Sequence, residues 1–503
     1  MEIGEALDNN EFQHAVHPGN GAIPKTAEAP VMSSTPAPVD PLPVRLVGAG
    51  LLVPCADGLE RPYVDLDLAA STPALPVVAD AVAAFIPWYS SVHRGAGYKS
   101  RVATAAYESA RSTALAFAGG PRTDDVAVLC RNTTEAINHL AYRLDLHVDD
   151  VVLTTVVEHH ANLLPWDRVA HRRYVECDLA GTFDVDAVMA GLDATPRPKL
   201  LAITGASNVT GWLPPLNLII EAAHERGVKV LLDAAQLAPH RPIPATADYV
   251  AFSGHKLYAP FGTGVLVAPR STFTEGDPFL AGGGAVDLVD LDEVVWTAPP
   301  EREEAGSPNV LGAVALQSAI QALGRYGWEA IAQHESALAT RLRRGLARID
   351  GVRVLGPDPM GNTETLAVGT FVIPGAHHAL VAARLSAEWG IGVRHGCFCA
   401  HPYLIRLLGL GAAEVESYRA EVMRGDHSAM PGAVRASAGL GTSEADVDAL
   451  LAAVSCIASD ATSGTKLPFD YQQDPSTGDF WPISAHGGWT TSDRPSGAAC
   501  GPT

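Results

Sequence analysis

The sequence predicts an α/β fold in which a large domain built on a mostly parallel, doubly wound sheet is followed by a smaller α+β domain. Three observations lead there. Short apolar runs of strand length alternate with segments of helical periodicity. Residues able to do chemistry gather just after those runs, where open α/β sheets place their sites. From about Glu329 the pattern changes to a long helix, an isolated strand and a second helix.

In chain order, residues 125–130 read as a strand that passes through a turn at Arg131 into a helix over 131–138, with Thr133 or Thr134 as its cap. Residues 151–157 form the next strand, ending at Glu158-His159-His160. Lys199 and Lys229 each precede an apolar run, which puts both at strand entrances. The run after Lys229 ends in Asp233, followed by Gln236. Residues 248–256 read as a buried strand entering a turn that presents Lys256 at its C-terminal edge. A helix over 329–349, a strand over 365–373 and a helix over 379–389 complete the smaller domain.

The chain has six lysines, so elimination has force. Lys25 and Lys466 fall in tails expected to be disordered, Lys199 and Lys229 at the wrong strand ends, and Lys99 after a Gly-rich loop with no strand leading in. Lys256 is the candidate for covalent chemistry such as a Schiff base with an aldehyde cofactor, against a lysine closing a turn in solvent. An acid at the end of a buried strand needs a cationic partner. For Asp233 a protonated pyridine nitrogen of pyridoxal 5'-phosphate (PLP) meets that need; a Mg²⁺ site or a structural cap would explain the acid equally well in isolation. The free N–H groups at the start of the helix after residue 131 offer a phosphate cradle. A histidine after the 151–157 strand suits stacking on a ring and moving protons near neutral pH. Adjacent His159 and His160 point in different directions, and no further ligand sits at metal spacing, so no metal is expected.

The 503 residues can bury a sizeable core. A net charge of -21 argues against nonspecific nucleic-acid binding and against anionic membrane surfaces. Seven scattered cysteines form no disulfide framework, the first residues show no secretory signal, and no apolar run spans a bilayer; a cytoplasmic location is the expectation. Residues 1–45 are Pro/Ala-rich and expected to be disordered. The tail over 459–503 carries Phe469, Tyr471, Phe480, Trp481 and Trp489, read either as docking onto the body or a partner, or as a flexible extension.

Residues 131–138, Glu158 to Asn162 with Pro165-Trp166, Ser207 to Gly211, Asp233 to Gln236 and Ser253 to Tyr258 occur in an order that resembles the class V, fold-type I PLP-dependent enzymes, most closely the cysteine desulfurase/selenocysteine lyase branch. Residues 63–72, 92–95 and 304–309 add flanking matches, and the resemblance covers roughly 60–455. It implies a large domain over 68–325, a small one over 326–458, and a segment over 46–67 packing on the small domain. It implies Lys256 as the cofactor-bound lysine, Asp233 at the pyridine nitrogen, Gln236 at the phenolic oxygen and His159 stacked on the ring. Thr133, Thr134, Ser253 and His255 would hold the phosphate, with Ser307 reaching it from the second subunit of a homodimer. Asn208, His93 and Arg435 would lie near the substrate.

The reaction type turns on residues 392–402. Arg394 suits a bidentate grip on an α-carboxylate, and Cys399 falls at the position of the family's persulfide-forming cysteine. The expected function is therefore an L-cysteine desulfurase, or selenocysteine lyase, giving alanine and a persulfide on Cys399, with a possible sulfur-acceptor protein as partner. The alternative is a class V aminotransferase, C–S lyase or amino-acid epimerase that uses PLP without a catalytic cysteine. Cys397 departs from the family pattern; it reads as a resolving thiol, a modifier of Cys399 protonation or an apolar filler, and Gly-Cys-Phe-Cys also resembles molybdenum-cofactor sulfurase domains. The acidic connection Leu407–Pro431 is longer than in relatives and reads as an ordinary surface insertion, a cover over the site or a partner-recognition element.

Overall fold

A computed structural model describes residues 41–119, 124–464 and 466–483. The N-terminal expectation for 1–45 lies almost wholly outside them, as does Trp489.

Seven strands form the main sheet: β1 (Asp125–Cys130), β2 (Val151–Thr155), β3 (His171–Val175), β4 (Leu200–Thr204), β5 (Lys229–Asp233), β6 (Tyr249–Ser253) and β7 (Gly264–Pro269). Their spatial order is β1-β7-β6-β5-β4-β2-β3. The block from β6 to β3 is parallel, whereas β7 runs antiparallel to both β6 and β1. Runs such as Leu200–Thr204 and Tyr249–Ser253 are apolar at nearly every position because both faces are covered. One face packs Leu153, Ile203, Leu232, Phe252 and Val265 against α5 (Leu216–Glu225) and α6 (Val310–Tyr326). The other packs Val128, Val152, Ala202, Leu231 and Leu266 against Ile137 and Leu140 of α3 (Thr133–Arg143). Alternate residues of each strand thus feed two separate cores, as a doubly wound sheet requires.

Earlier in the chain, α1 (Pro76–Phe85) and α2 (Tyr98–Phe117) pack against α6, and α4 (Val185–Asp193) against α5. Gly327, at φ 79°, separates α6 from α7 (Trp328–Ala347), beyond which a second, antiparallel sheet forms. Its strands β8 (Arg353–Leu355), β9 (Val368–Val372), β10 (Arg394–Gly396) and β11 (Ala433–Ser437) lie in the order β8-β9-β11-β10. Leu338 and Leu342 of α7, Leu385 of α8 (His378–Trp389) and Leu450 and Val454 of α11 (Glu444–Ser463) bury Phe371 and Val434 of this sheet. The short strand Val64–Asp65 pairs in parallel with Ile391–Gly392, which brings residues 64–65 beside the start of β10.

Two segments left open by the sequence acquire definite shapes. The acidic connection holds the end of α9 (His401–Leu408) and an exposed helix, α10 (Ala412–Met423). The tail folds into a hairpin, β12 (Tyr471–Gln473) and β13 (Phe480–Pro482), with Tyr471 and Phe480 against the body and Trp481 exposed. No helix of the described residues is long and apolar enough to cross a membrane.

Candidate active site

The carboxyl ends of β1, β4, β5 and β6 open into a cavity of about 520 Å³. Lys256 lies on the turn after β6, and Asp233 is the last residue of β5. Burial pulls the Lys256 ammonium down to about 8, although the Asp233 carboxylate opposes the shift. Burial likewise raises Asp233, opposed by its bond from Ala235 N at 3.0 Å and by Lys256. Two other described lysines form ion pairs at the opposite strand ends, Lys199 2.8 Å from Asp150 and Lys229 2.8 Å from Asp248.

The turn between β1 and α3 approaches β7 closely: a Cβ on Gly264 would lie 2.5 Å from the backbone of Asn132. That approach holds the start of α3 over the cavity. The helix cap differs from expectation. Asn132, not Thr133 or Thr134, accepts from Glu135 N at 2.9 Å, because Thr133 is engaged elsewhere. Its N–H donates to Ser253 Oγ at 2.7 Å and its hydroxyl lies 2.6 Å from the same oxygen. Thr133, Thr134, Ser253 and His255 therefore line one end of the cavity together.

His159 also lines it, with Nδ1 accepting from Ala161 N at 3.0 Å, which leaves the proton on Nε2. Burial, then the Lys256 charge, pushes His159 down to about 3, so it is a neutral imidazole and does not titrate near neutrality as expected. Glu158, unassigned by the sequence reading, is fully buried and accepts from Thr155 Oγ1 and Asn162 Nδ2, each at 2.8 Å. Burial raises its carboxyl to about 8, so it is mostly protonated at neutral pH. Gln236 lines the cavity while donating to Ala69 O at 2.7 Å.

Arg394 and Arg435 are register partners on β10 and β11. Arg435 is 3% exposed and committed to protein groups: Nη1 donates to Asn208 O at 2.9 Å and Nη2 to Asp67 Oδ1 at 3.0 Å. The Arg394 side chain is 56% exposed, with Asp67 Oδ2 at 3.6 Å as its one ion-pair partner among the described residues. Asp67, also missed by the sequence reading, thus sits between both guanidinium groups.

Beyond β10, Phe398 and Cys399 are consecutive non-glycine residues in the left-handed region, at φ 55° and 53°. Such conformations cost on the order of 1 kcal/mol each and persist only where other contacts impose them. Asn208 Nδ2 donates to Phe398 O at 2.7 Å, His160 N donates to Cys399 O at 2.8 Å, and the Arg435 guanidinium lies 5.1 Å from the Phe398 ring centroid. The outcome is an exposed Cys399 thiol on a fixed loop at the cavity. Cys397 is half-buried, and burial raises its thiol.

Two expected residues do not line the cavity of a single chain. His93 is exposed and hydrogen-bonded to Glu108 at 2.7 Å. Ser307 is exposed on a loop whose root, Glu304, is held firmly: Tyr107 OH and Leu129 N donate to it at 2.6 Å, and Arg111 Nη1 at 2.8 Å. Among the described residues no cluster of His, Cys, Asp and Glu fits a metal ion.

The donor set fits PLP. It combines a lysine amine of lowered basicity, a buried carboxylate lacking a strong cationic partner, a neutral imidazole, and hydroxyls at a helix start.

Comparison with known proteins agrees with this geometry. The family described as aminotransferase class-V matches residues 64–450. A probable cysteine desulfurase of Xylella fastidiosa is 41% identical over 313 residues, covering 60% of this chain and 73% of that protein. One of Vibrio cholerae is 34% identical over 404 residues, covering 78% and 93%. The apo structure of a cysteine desulfurase from Thermococcus onnurineus superposes with a TM-score of 0.70 at 30% identity, covering 79% of this chain and 95% of that one. A cysteine desulfurase from Escherichia coli gives 0.66 at 33% identity, covering 80% and 95%.

Proposed function

The chain belongs to the aminotransferase class-V family, and from that premise we propose that it is a PLP-dependent L-cysteine desulfurase producing L-alanine and a persulfide on Cys399. The observation that carries the reading is the exposed Cys399 on a rigid loop lining the same cavity as Lys256. When bound, PLP supplies an electron sink conjugated to the substrate α-carbon.

In this reading Lys256 Nζ holds the cofactor covalently, and its lowered basicity keeps a fraction of the amine neutral at physiological pH. Asp233 keeps a proton on the pyridine nitrogen, and His159 packs on the ring as a neutral imidazole. Thr133, Thr134, Ser253 and His255 bind the phosphate at the start of α3, where the helix dipole favours an anion. Gln236 contacts the phenolic oxygen, and Asn208 and Arg435 fix the cysteine loop at the substrate. Arg394 takes the substrate carboxylate, and Lys256, once released, moves the α-proton. Cys399 Sγ, as thiolate, attacks the substrate sulfur. The substrate C–S bond breaks, an S–S bond forms on Cys399, and the former sulfur-bearing carbon takes a proton to become the methyl group of alanine.

A homodimer in which Ser307 reaches the partner's phosphate, with His93 near the partner's substrate, explains why both lie outside the single-chain cavity. A cytoplasmic setting and a separate sulfur acceptor belong to the same proposal. Incubating the PLP-loaded protein with L-cysteine and a reductant tests it: equimolar alanine and sulfide are expected, and alanine formation without sulfide, or no turnover, overturns it.

A further inference from the structure

The C-terminal hairpin lies beyond residue 450, where the family match ends, yet Thr477 and Gly478 of its turn line the catalytic cavity. It is tied down along its length. Tyr471 OH donates to Glu388 Oε1 at 2.8 Å, His427 N to Pro475 O at 2.8 Å, and Gln473 Nε2 to Ser428 O at 2.9 Å.

Its grip converges on β10. That strand has three residues and is the edge of its sheet, hydrogen-bonded only to β11. A short edge strand is the least constrained part of a sheet, and this one carries Arg394. The hairpin supports it from two directions. Asp479 Oδ1 lies 3.2 Å from Nε2 of His395, the residue next to Arg394. The Phe480 ring packs 5.4 Å from His377, which lies 4.3 Å from His378, which in turn lies 5.5 Å from His395.

We propose that Asp479 is a positioning residue of the substrate site: through His395 it sets the edge strand that presents Arg394, and so tunes affinity for the substrate carboxylate. This rests on the reading of Arg394 given above. Asp479 touches neither Lys256 nor Cys399, so binding and chemistry separate.

The test compares full-length, PLP-loaded parent, Asp479→Ala and Asp479→Asn with L-cysteine. Asp479→Ala is expected to raise KM by about five- to tenfold with kcat within about twofold, and Asp479→Asn, which keeps an oxygen facing His395, to return KM to within about twofold of the parent. Amide hydrogen exchange without substrate should rise over residues 391–396 in the alanine variant and stay unchanged over 249–256. Tyr471→Phe, which loosens the hairpin elsewhere, serves if Asp479→Ala does not fold; it should raise KM by about two- to threefold. A parent that does not turn over L-cysteine sinks the desulfurase reading. A parent that does, beside variants with unchanged KM and unchanged exchange over 391–396, sinks this inference alone.

Discussion

Lys256 is the residue on which the cofactor chemistry depends, and its surroundings make a sharp expectation. Lys199 and Lys229 are paired at the far strand ends, and Lys99 stands in the first turn of α2. Lys256→Ala should therefore abolish the visible absorbance of covalently held PLP, and a spectrum like the parent's would refute the assignment. The cysteine pair makes a second. Cys399→Ser should keep that absorbance and still bind L-cysteine but release no sulfur, because a hydroxyl is far less nucleophilic than a thiolate. Cys397→Ser should slow turnover only mildly, since burial keeps Cys397 a thiol. Single-turnover assays for persulfide on each variant decide between them. Lys256 was legible because lysines are scarce in this chain. The protonation of His159 was not, because it depends on burial and on a lysine 97 positions away in sequence.

At the scale of elements, the start of α3 shows where sequence reading stops. Asn132, Thr133 and Thr134 are all acceptable caps. Which one serves is decided by Ser253, 120 residues on, which takes both polar groups of Thr133 and leaves the cap to Asn132. Asn132→Ala should cost about 1 kcal/mol in stability and weaken PLP retention. Urea unfolding of the cofactor-free protein and equilibrium PLP titration measure the two effects, and an unchanged midpoint would remove Asn132 as the cap. The strands themselves were readable, since β5 and β6 are apolar runs that end in the residues of interest. The reversal of β7 was not foreseen. Nor was the C-terminal hairpin, whose two strands have three residues each and take their order from contacts with the body.

For the molecule as a whole, Glu158 couples stability to pH. Its folded carboxyl titrates at about 8, well above the unfolded value near 4.3. The unfolded chain therefore releases this proton first, so the stabilisation is complete below about pH 4.3 and is lost as pH rises through about 8. Within that window the slope is on the order of 1 kcal/mol per pH unit. Glu158→Gln removes the ionisation while keeping the shape, so its melting temperature should fall less between pH 6 and 8 than the parent's. Equal falls in both proteins would show that Glu158 is not the source.

The bed of Tyr107, Arg111 and Leu129 beneath Glu304 has a thermodynamic reach of its own. It orders the root of the Ser307 loop inside each chain, so that root need not be organised at the moment of association. Under the proposed shared site, two chains and two PLP molecules form one linked equilibrium. Dilution then lowers the apparent affinity for PLP, and saturating PLP lowers the dissociation constant of the dimer by the square of the factor by which dimerisation tightens each site.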